Sequence, residues 1–403
     1  MPTYSAPGIY IEEVAGGARP IQAVGTRTAG FVGEAPSVRA HVNEAVAINN
    51  WSQFVREFVP ESGGASTPLS HAVYGFFLNG GSRCYVVNVG RGNALAGGGR
   101  ERTGIDLLAQ IDEIAIVAAP GYTDPADTDK IIGHCENLQD RVAIIDAPRQ
   151  VDDINRLTKV AKVSSGEAPA GDSDAAGDGL RARQSDRGFA AFYFPWITVR
   201  DPLDPAGAIV NVPPSGHLAG IWARSDAQRG VHKAPANETI TGALNVTYHL
   251  TRAEQGELNR NGVNCIRFFA GEGVRVWGAR TLASGSSEWR YLNVRRLVNM
   301  IEESISTSTR WIVFEPNDRP LWMAIRRDVS AFLTGLWRDG ALMGRTPEEA
   351  FFVLCDEETN PPDQIDQGIV TTVIGIAPVK PAEFVIFRIS QFSGGTTVEV
   401  QGG

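Results

Sequence analysis

Apolar and polar residues alternate over Ile9, Tyr10, Ile11 and Glu12, behind Pro2, Pro7 and Gly8, which disfavour helix. The first fourteen residues therefore read as an extended arm too short to bury a face of its own. Strand-like spacing returns over Thr28 to Gly33, and a short helix near Trp51 puts Phe54, Val55 and Phe58 on one side. From Leu69 the period is helical through Val73, Phe76 and Phe77; Asn79-Gly80-Gly81 stops it, and Arg83 to Val89 reads as a strand. Gly90 to Gly104 is predicted to be loop, loosest at Gly97-Gly98-Gly99.

Beyond that point strand and helix alternate. Glu113 to Ala118 is a nearly continuous apolar strand, followed by a helix to about Asp140 with Asp124 as cap and Pro125 in its first turn. Val142 to Ala147 reads as strand, Val151 to Val163 as helix and Ala190 to Phe194 as strand. Continuous apolar strands separated by helices indicate a parallel sheet buried on both faces. Ser164 to Arg187 breaks the rhythm with Ser, Gly, Ala and Asp and almost no large apolar residue, so a mobile surface insertion is expected there.

Pro213 and Pro214 stop the extended chain, and Ser215 is placed to cap a helix carrying Leu218, Ile221 and Trp222 on one face. A polar helical segment near Ala253 to Asn259 precedes strands at Cys265 to Phe269 and Val274 to Gly278. Asn293 is placed to cap a helix carrying Val294, Leu297, Val298, Ile301 and Ile305. Pro320 opens a second, with Leu321, Ile325, Val329, Phe332 and Leu336, which Gly340 ends. Strands are then predicted at Phe351 to Cys355, Val370 to Val379, Glu383 to Ser390 and Thr396 to Val400, a succession that suggests a separate α+β domain.

The 403 residues, 43% hydrophobic and 21% charged, suffice for roughly two or three domains with real cores. A net charge of -9 and the absence of any Lys/Arg-rich run argue against a nucleic-acid binder. Apolar stretches such as Ile114 to Ala119 fall far short of the roughly 18 residues a membrane span needs. Met1 to Tyr10 has no basic start followed by an apolar segment, so synthesis and folding in the cytoplasm are expected. Cys84, Cys135, Cys265 and Cys355 form no CxxC pair and read as buried free thiols.

Catalytic constellations are missing. There is no GxxxxGK[ST] loop, no HExxH and no GxSxG. His134, Cys135 and Glu136 are consecutive on a predicted helix and so point apart, which leaves no metal ligand set. Pro214-Ser215-Gly216-His217-Leu218-Ala219-Gly220 is similar to the HGTHVAG helix of subtilisin-type serine proteases. On that alignment the catalytic histidine falls on Pro214, which cannot act as a base, and no Gly-Thr-Ser-Met-Ala nucleophile segment follows. His217 is therefore read as a packing or hydrogen-bonding residue, with no catalytic, cofactor or metal residue assigned.

A series of segments carries a family resemblance. It begins with Pro7-Gly8-Ile9-Tyr10-Ile11-Glu12-Glu13 and Phe76-Phe77-Leu78-Asn79-Gly80-Gly81 with Cys84-Tyr85-Val86-Val87. It sharpens at Tyr193-Phe194-Pro195-Trp196, Val212-Pro213-Pro214-Ser215-Gly216-His217-Leu218-Ala219-Gly220 and Lys233-Ala234-Pro235-Ala236-Asn237. Val276-Trp277-Gly278-Ala279-Arg280-Thr281-Leu282, Trp289-Arg290-Tyr291-Leu292-Asn293-Val294-Arg295-Arg296, Phe314-Glu315-Pro316-Asn317-Asp318 and Pro381-Ala382-Glu383-Phe384-Val385 complete it. The chain resembles the contractile-tail sheath proteins, the family of contractile phage tails, R-type pyocins and extracellular contractile injection systems.

The resemblance implies an α/β and α+β fold: a subtilisin-like α/β domain with a parallel sheet and no protease activity, an α+β C-terminal domain facing an inner tube, and extended N- and C-terminal arms. The division it suggests is an arm at 1–22, an N-terminal part of the core at 23–104, the subtilisin-like domain at 105–282 with a flexible insertion at 164–187, the tube-facing domain at 283–390 and an arm at 391–403. In the family, arms add strands to the C-terminal domains of neighbouring subunits; Ile9, Tyr10, Ile11 and Val14 at one end and Val398 and Val400 at the other are the expected contacts. Further implied are a helical homo-oligomer of hexameric rings, partners in the inner tube, baseplate and terminal cap proteins, no cofactor, no nucleic acid and no membrane insertion. Assembly would take place in the bacterial cytoplasm, in a phage tail or a particle that can be released. The competing readings are a non-contractile structural tail component and an unrecognised subtilisin-like hydrolase.

Overall fold

Short apolar strands need cover on both faces, and a nine-stranded sheet between helical layers provides it. The computed structural model describes residues 20–97, 102–162 and 179–386. Chain order runs through β1 (Thr28–Gly33), β2 (Ala45–Ile48), α1 (Trp51–Phe58), α2 (Pro68–Leu78) and β3 (Cys84–Asn88). A small ladder of β4 (Ala96–Gly97) and β5 (Thr103–Gly104) leads to β6 (Ile114–Ala118), α3 (Pro125–Leu138), β7 (Val142–Asp146) and β8 (Ala190–Phe194). Then come β9 (Ile197–Arg200), β10 (Ile209–Val212), α4 (Ser215–Arg229), β11 (Glu238–Thr239), β12 (Ala243–Val246), α5 (Arg252–Arg260), β13 (Val263–Phe269) and β14 (Gly273–Trp277).

The sheet order is β11-β14-β13-β8-β7-β6-β1-β3-β2. The strands from β13 to β3 are parallel, as the apolar runs predict, but both edges are antiparallel: β2 on β3, and β14 on β13 and β11. The sheet is therefore mixed. Only residues 270–272 separate β13 from β14, a hairpin too short for the crossover that a parallel neighbour requires. The antiparallel sheet β10-β9-β12 has no counterpart in the sequence reading.

Phe31, Phe76 and Trp222 centre one core layer; Ile131, Phe192 and Leu258 centre the layer on the other face. Helices α2 and α4 approach closely because small residues line their contact. A Cβ on Gly216 would sit 2.2 Å from the Ala72 backbone, and one on Gly75 would sit 2.3 Å from the His217 ring. His217 is thus a packing residue of the α2–α4 seam.

Other expectations are corrected. Val151 to Val163 does not form an α-helix: the described part holds a 3-10 turn at Ile154–Thr158, and Val160 then bridges Arg181. Only Leu157 of the turn is buried, too little to hold a longer helix. The insertion expected at 164–187 begins outside the described residues, but its last part is pinned. Arg183 reaches Glu136 at 2.8 Å and also Asp129, Ser185 donates to Glu136 at 2.7 Å, and Ala182 and Ser185 are buried. The low apolar content gave no sign of these ionic ties to α3.

Two caps also shift. Ser215 is the first helical residue of α4 rather than its cap, and its backbone N and Oγ donate to Asp146 at 2.9 and 2.7 Å. Asn293 lies inside α6 (Leu292–Ser308), donating to the carbonyls of His232 and Val379 at 2.8 and 3.0 Å. In both, a distant partner outcompetes the local helix end.

After α6 come α7 (Arg319–Arg338), α8 (Pro347–Ala350), β15 (Phe351–Leu354), α9 (Pro362–Asp366) and β16 (Val373–Ile376). Asp318 caps α7 by accepting from Leu321 N at 3.1 Å, with Pro320 in the first turn where its missing N–H costs nothing. Leu297, Trp322, Ile325, Val329 and Val353 form a third core, which also takes in Ile21. Glu383 to Ile386 carry no strand; the rest of the strand expected to Ser390, and the one at Thr396 to Val400, lie outside the described residues.

Candidate assembly surface

The six positions expected to exchange strands, Ile9, Tyr10, Ile11, Val14, Val398 and Val400, all lie outside the described residues. The C-terminal region to which the resemblance would have them add is described. β15 and β16 form an antiparallel pair, Phe351 opposite Ile376 through Leu354 opposite Val373. Val353 and Cys355 alternate inward to the third core, while Phe352, Leu354 and Val373 turn outward, 52%, 41% and 42% exposed. Phe352 lies across Gly375, its ring filling the space a Cβ there would take.

This sheet has only two strands, so among the described residues the outer edge of each offers unpaired backbone groups. An isolated two-stranded ribbon is marginal on its own, and this one relies on α7 and the core beneath it. An open, mostly apolar groove of about 270 Å³ lies between α6, α7 and the start of β16, lined by Ile305, Ile312, Val313, Ile325, Val370 and Ile374 among others. By contrast the β2 edge of the large sheet is blunted: Gln53 donates to the Ala47 carbonyl at 2.9 Å and accepts from Asn49 N at 2.9 Å.

Both described chain ends are fastened. At the start, Gln22 N and Val24 N donate to Ser308 and Ser304 Oγ at 3.3 and 3.0 Å, laying the segment along α6 with Ile21 in the third core. Arg296 of α6 forms a buried pair with Asp226 of α4 at 2.7 Å, over the Trp222 ring, and donates to the Thr26 carbonyl at 2.9 Å. Each side chain of the pair is 2% exposed, so this strut welds the third core to the large sheet. At the other end Glu383 pairs with Arg280 at 2.6 Å and accepts from Asn259 at 2.7 Å. Phe384, Val385 and Ile386 then stand 73%, 70% and 78% exposed.

Sequence reasoning missed Asp146. It ends β7 beneath the start of α4, accepting from Ser215 and, at 3.3 Å, from Gly121 N. Burial lifts its pKa to about 6, against those hydrogen bonds. Asp146 thus anchors the start of α4 through Ser215, next to Pro214, which has no side chain able to take up a proton. Its signal was one acidic residue closing an apolar strand. His134 is buried on α3 while Glu136 is engaged by Arg183, and no cluster of three metal-ligating side chains occurs among the described residues.

Comparison with known proteins follows this architecture. The family model for the phage tail sheath protein central domain matches residues 102–282, and that for the phage tail sheath C-terminal domain matches residues 284–392. The tail sheath protein of Vibrio phage KVP40 is 30% identical over 177 residues, 43% of this chain and 26% of that protein. The tail sheath protein of Salmonella phage ViI is 25% identical over 293 residues, 71% of this chain and 44% of that protein. The chain thus spans less than half the length of these curated relatives. Among solved structures, the contracted sheath of the extracellular contractile injection system PVC has a TM-score of 0.74 at 30% identity, covering 97% of this chain and 99% of that one. The contracted helical sheath of the anti-feeding prophage has a TM-score of 0.72 at 29% identity, covering 96% and 100%.

Proposed function

This chain belongs to the phage tail sheath family, and from that premise we propose that it is a structural sheath subunit, polymerising into stacked, six-membered helical rings around an inner tube and contracting to drive the tube through a target envelope. The observation that carries the proposal is the β15/β16 pair. Both outer edges are unpaired among the described residues, the outer face is apolar, and the pair lies in the segment matched by the sheath C-terminal domain.

In this reading Ile9, Tyr10, Ile11 and Val14 of one copy and Val398 and Val400 of another add strands to those edges, and residues 1–22 and 391–403 act as arms. Each added strand would extend the pair sideways and bring several backbone hydrogen bonds of about 1 kcal/mol net, setting its own side chains beside Phe352, Leu354 and Val373. Strand exchange is a head-to-tail contact, which closes rings or propagates helices. Rigid subunits rotate during contraction while the arms keep the lattice connected, and a metastable extended lattice supplies the driving force without nucleotide.

The family is one of structural sheath proteins, and the reading assigns this chain no catalytic residue. The 105–282 body is read as a subtilisin-like fold without its base, a view supported by Asp146 beneath Pro214-Ser215. Its partners are further copies, an inner tube, a baseplate and a terminal cap; one similar structure is an anti-feeding prophage baseplate. Assembly takes place in the bacterial cytoplasm.

Deletion of residues 1–14 tests the proposal. The truncated chain is expected to keep wild-type circular dichroism yet form no helical polymer by electron microscopy. Regular sheaths from the truncated chain would refute the strand-exchange mechanism.

A further inference from the structure

Two surfaces of the third-core region carry opposite, unneutralised charge. On α7 the apolar stripe Leu321, Ile325, Val329 and Leu333 faces the core, so helical spacing turns Arg319, Met323, Arg326, Arg327 and Arg338 to the opposite side, where all five are exposed. Among the described residues Arg319, Arg326 and Arg338 form no ion pair, and Arg327 meets only its neighbour Asp328, at 2.9 Å. Met323 is 62% exposed in the middle of this face.

Across the core, residues 346–372 contain no Lys or Arg. They expose Glu348, Glu349, Glu357, Glu358, Asp363 and Asp366 around α8, β15 and α9, and none of these six forms an ion pair among the described residues. The two surfaces share the third core, α7 contributing Ile325 and Val329 and the acidic side contributing Ala350 and Val353. The arginines therefore face away from the carboxylates of residues 346–372 in their own chain.

We propose that the arginine face of α7 docks on the acidic α8–β15–α9 surface of a second copy of this chain. The inference rests on the sheath reading and adds to it a side-chain contact separate from strand exchange. A second copy fits better than any other acidic partner because one repeated contact neutralises both surfaces, whereas an acidic tube would leave the carboxylates unmatched. Two different patches meeting head to tail make a heterologous contact, the type that propagates helices. Exposed pairs of this kind are screened by salt.

The test uses the full chain and reads the critical concentration for polymerisation by sedimentation, with circular dichroism to check folding. Arg319→Glu with Arg326→Glu, and separately Glu357→Lys with Glu358→Lys, are each expected to raise it at least about ten-fold. All four substitutions together are expected to return it to within about three-fold of wild type. Folded quadruple variants that assemble no better than the doubles would overturn the contact. So would an acidic-side variant that assembles normally while the α7 variant does not, since the arginines would then serve another acidic partner. A wild-type chain that forms no polymer under any condition would count against the sheath reading itself and would take this contact with it.

Discussion

Lowering the pH from 7 to 5 should destabilise the folded subunit, and His217 and His134 set most of the size. His217 is 1% exposed in the α2–α4 seam, and its Nδ1 has no hydrogen-bond partner among the described residues. Burial, helped by nearby His71, pushes its pKa down to about 3. His134 is pushed down to about 4 by burial and then by Arg141. Both stay neutral in the folded state at pH 5, whereas unfolded imidazoles of pKa about 6.5 take up protons. The unfolded state binds more protons, so the stability these residues contribute is full above pH 6.5 and falls as pH drops toward their folded values. At pH 5 each costs about 2 kcal/mol, set by the unfolded pKa and insensitive to how far below 4.5 the folded one lies.

Asp146 works the other way. Its folded pKa of about 6 makes the folded state take up a proton in this range, which returns about 1 kcal/mol. His71 and His232, both lowered mainly by burial, add to the loss, while surface His41, raised by Glu44 and Glu57, subtracts from it. The net loss is on the order of 2 to 3 kcal/mol, a large share of the roughly 5 to 15 kcal/mol that holds a typical domain folded. Urea unfolding of the unpolymerised chain at pH 7 and pH 5 measures it, with His217→Gln losing about 2 kcal/mol less over the interval. Equal pH losses in wild type and variant would refute the reasoning, because the titration would then belong elsewhere.

Two further perturbations address the packing that positions the assembly surface. Asp226→Ala should cost about 3 to 5 kcal/mol by leaving the Arg296 guanidinium buried without a counter-charge, and adding Arg296→Met should recover part of it; a double-mutant cycle with no coupling would contradict the strut. Gly216→Val should destabilise by about 3 kcal/mol or more, since even a Cβ would press into the Ala72 backbone, and an unchanged melting temperature would show that α2 and α4 can separate cheaply.

Much of the chain was legible because local period encodes local structure. The apolar runs at Ile114–Ala118 and Val142–Asp146, the helix stop at Asn79 and the Pro320 start of α7 all follow from neighbours in sequence. The segments at residues 193–196 and 212–220 carried the family in the same way. Tertiary structure decided what depends on partners far along the chain. Ser215 gives its hydroxyl to Asp146, 69 positions away, and Gln22 is tied to Ser308 across 286. Arg183 fastens to α3 the described end of a stretch that composition marked as loose. The same holds for the assembly surface. Alternation predicted a strand at Phe351 to Cys355, but only the folded chain leaves its outer edge open and the α7 arginines facing away from the carboxylates across the core. A hydrogen-bonding edge stays free, and a charge unmatched, because of what the rest of the chain fails to cover, and no local period records that.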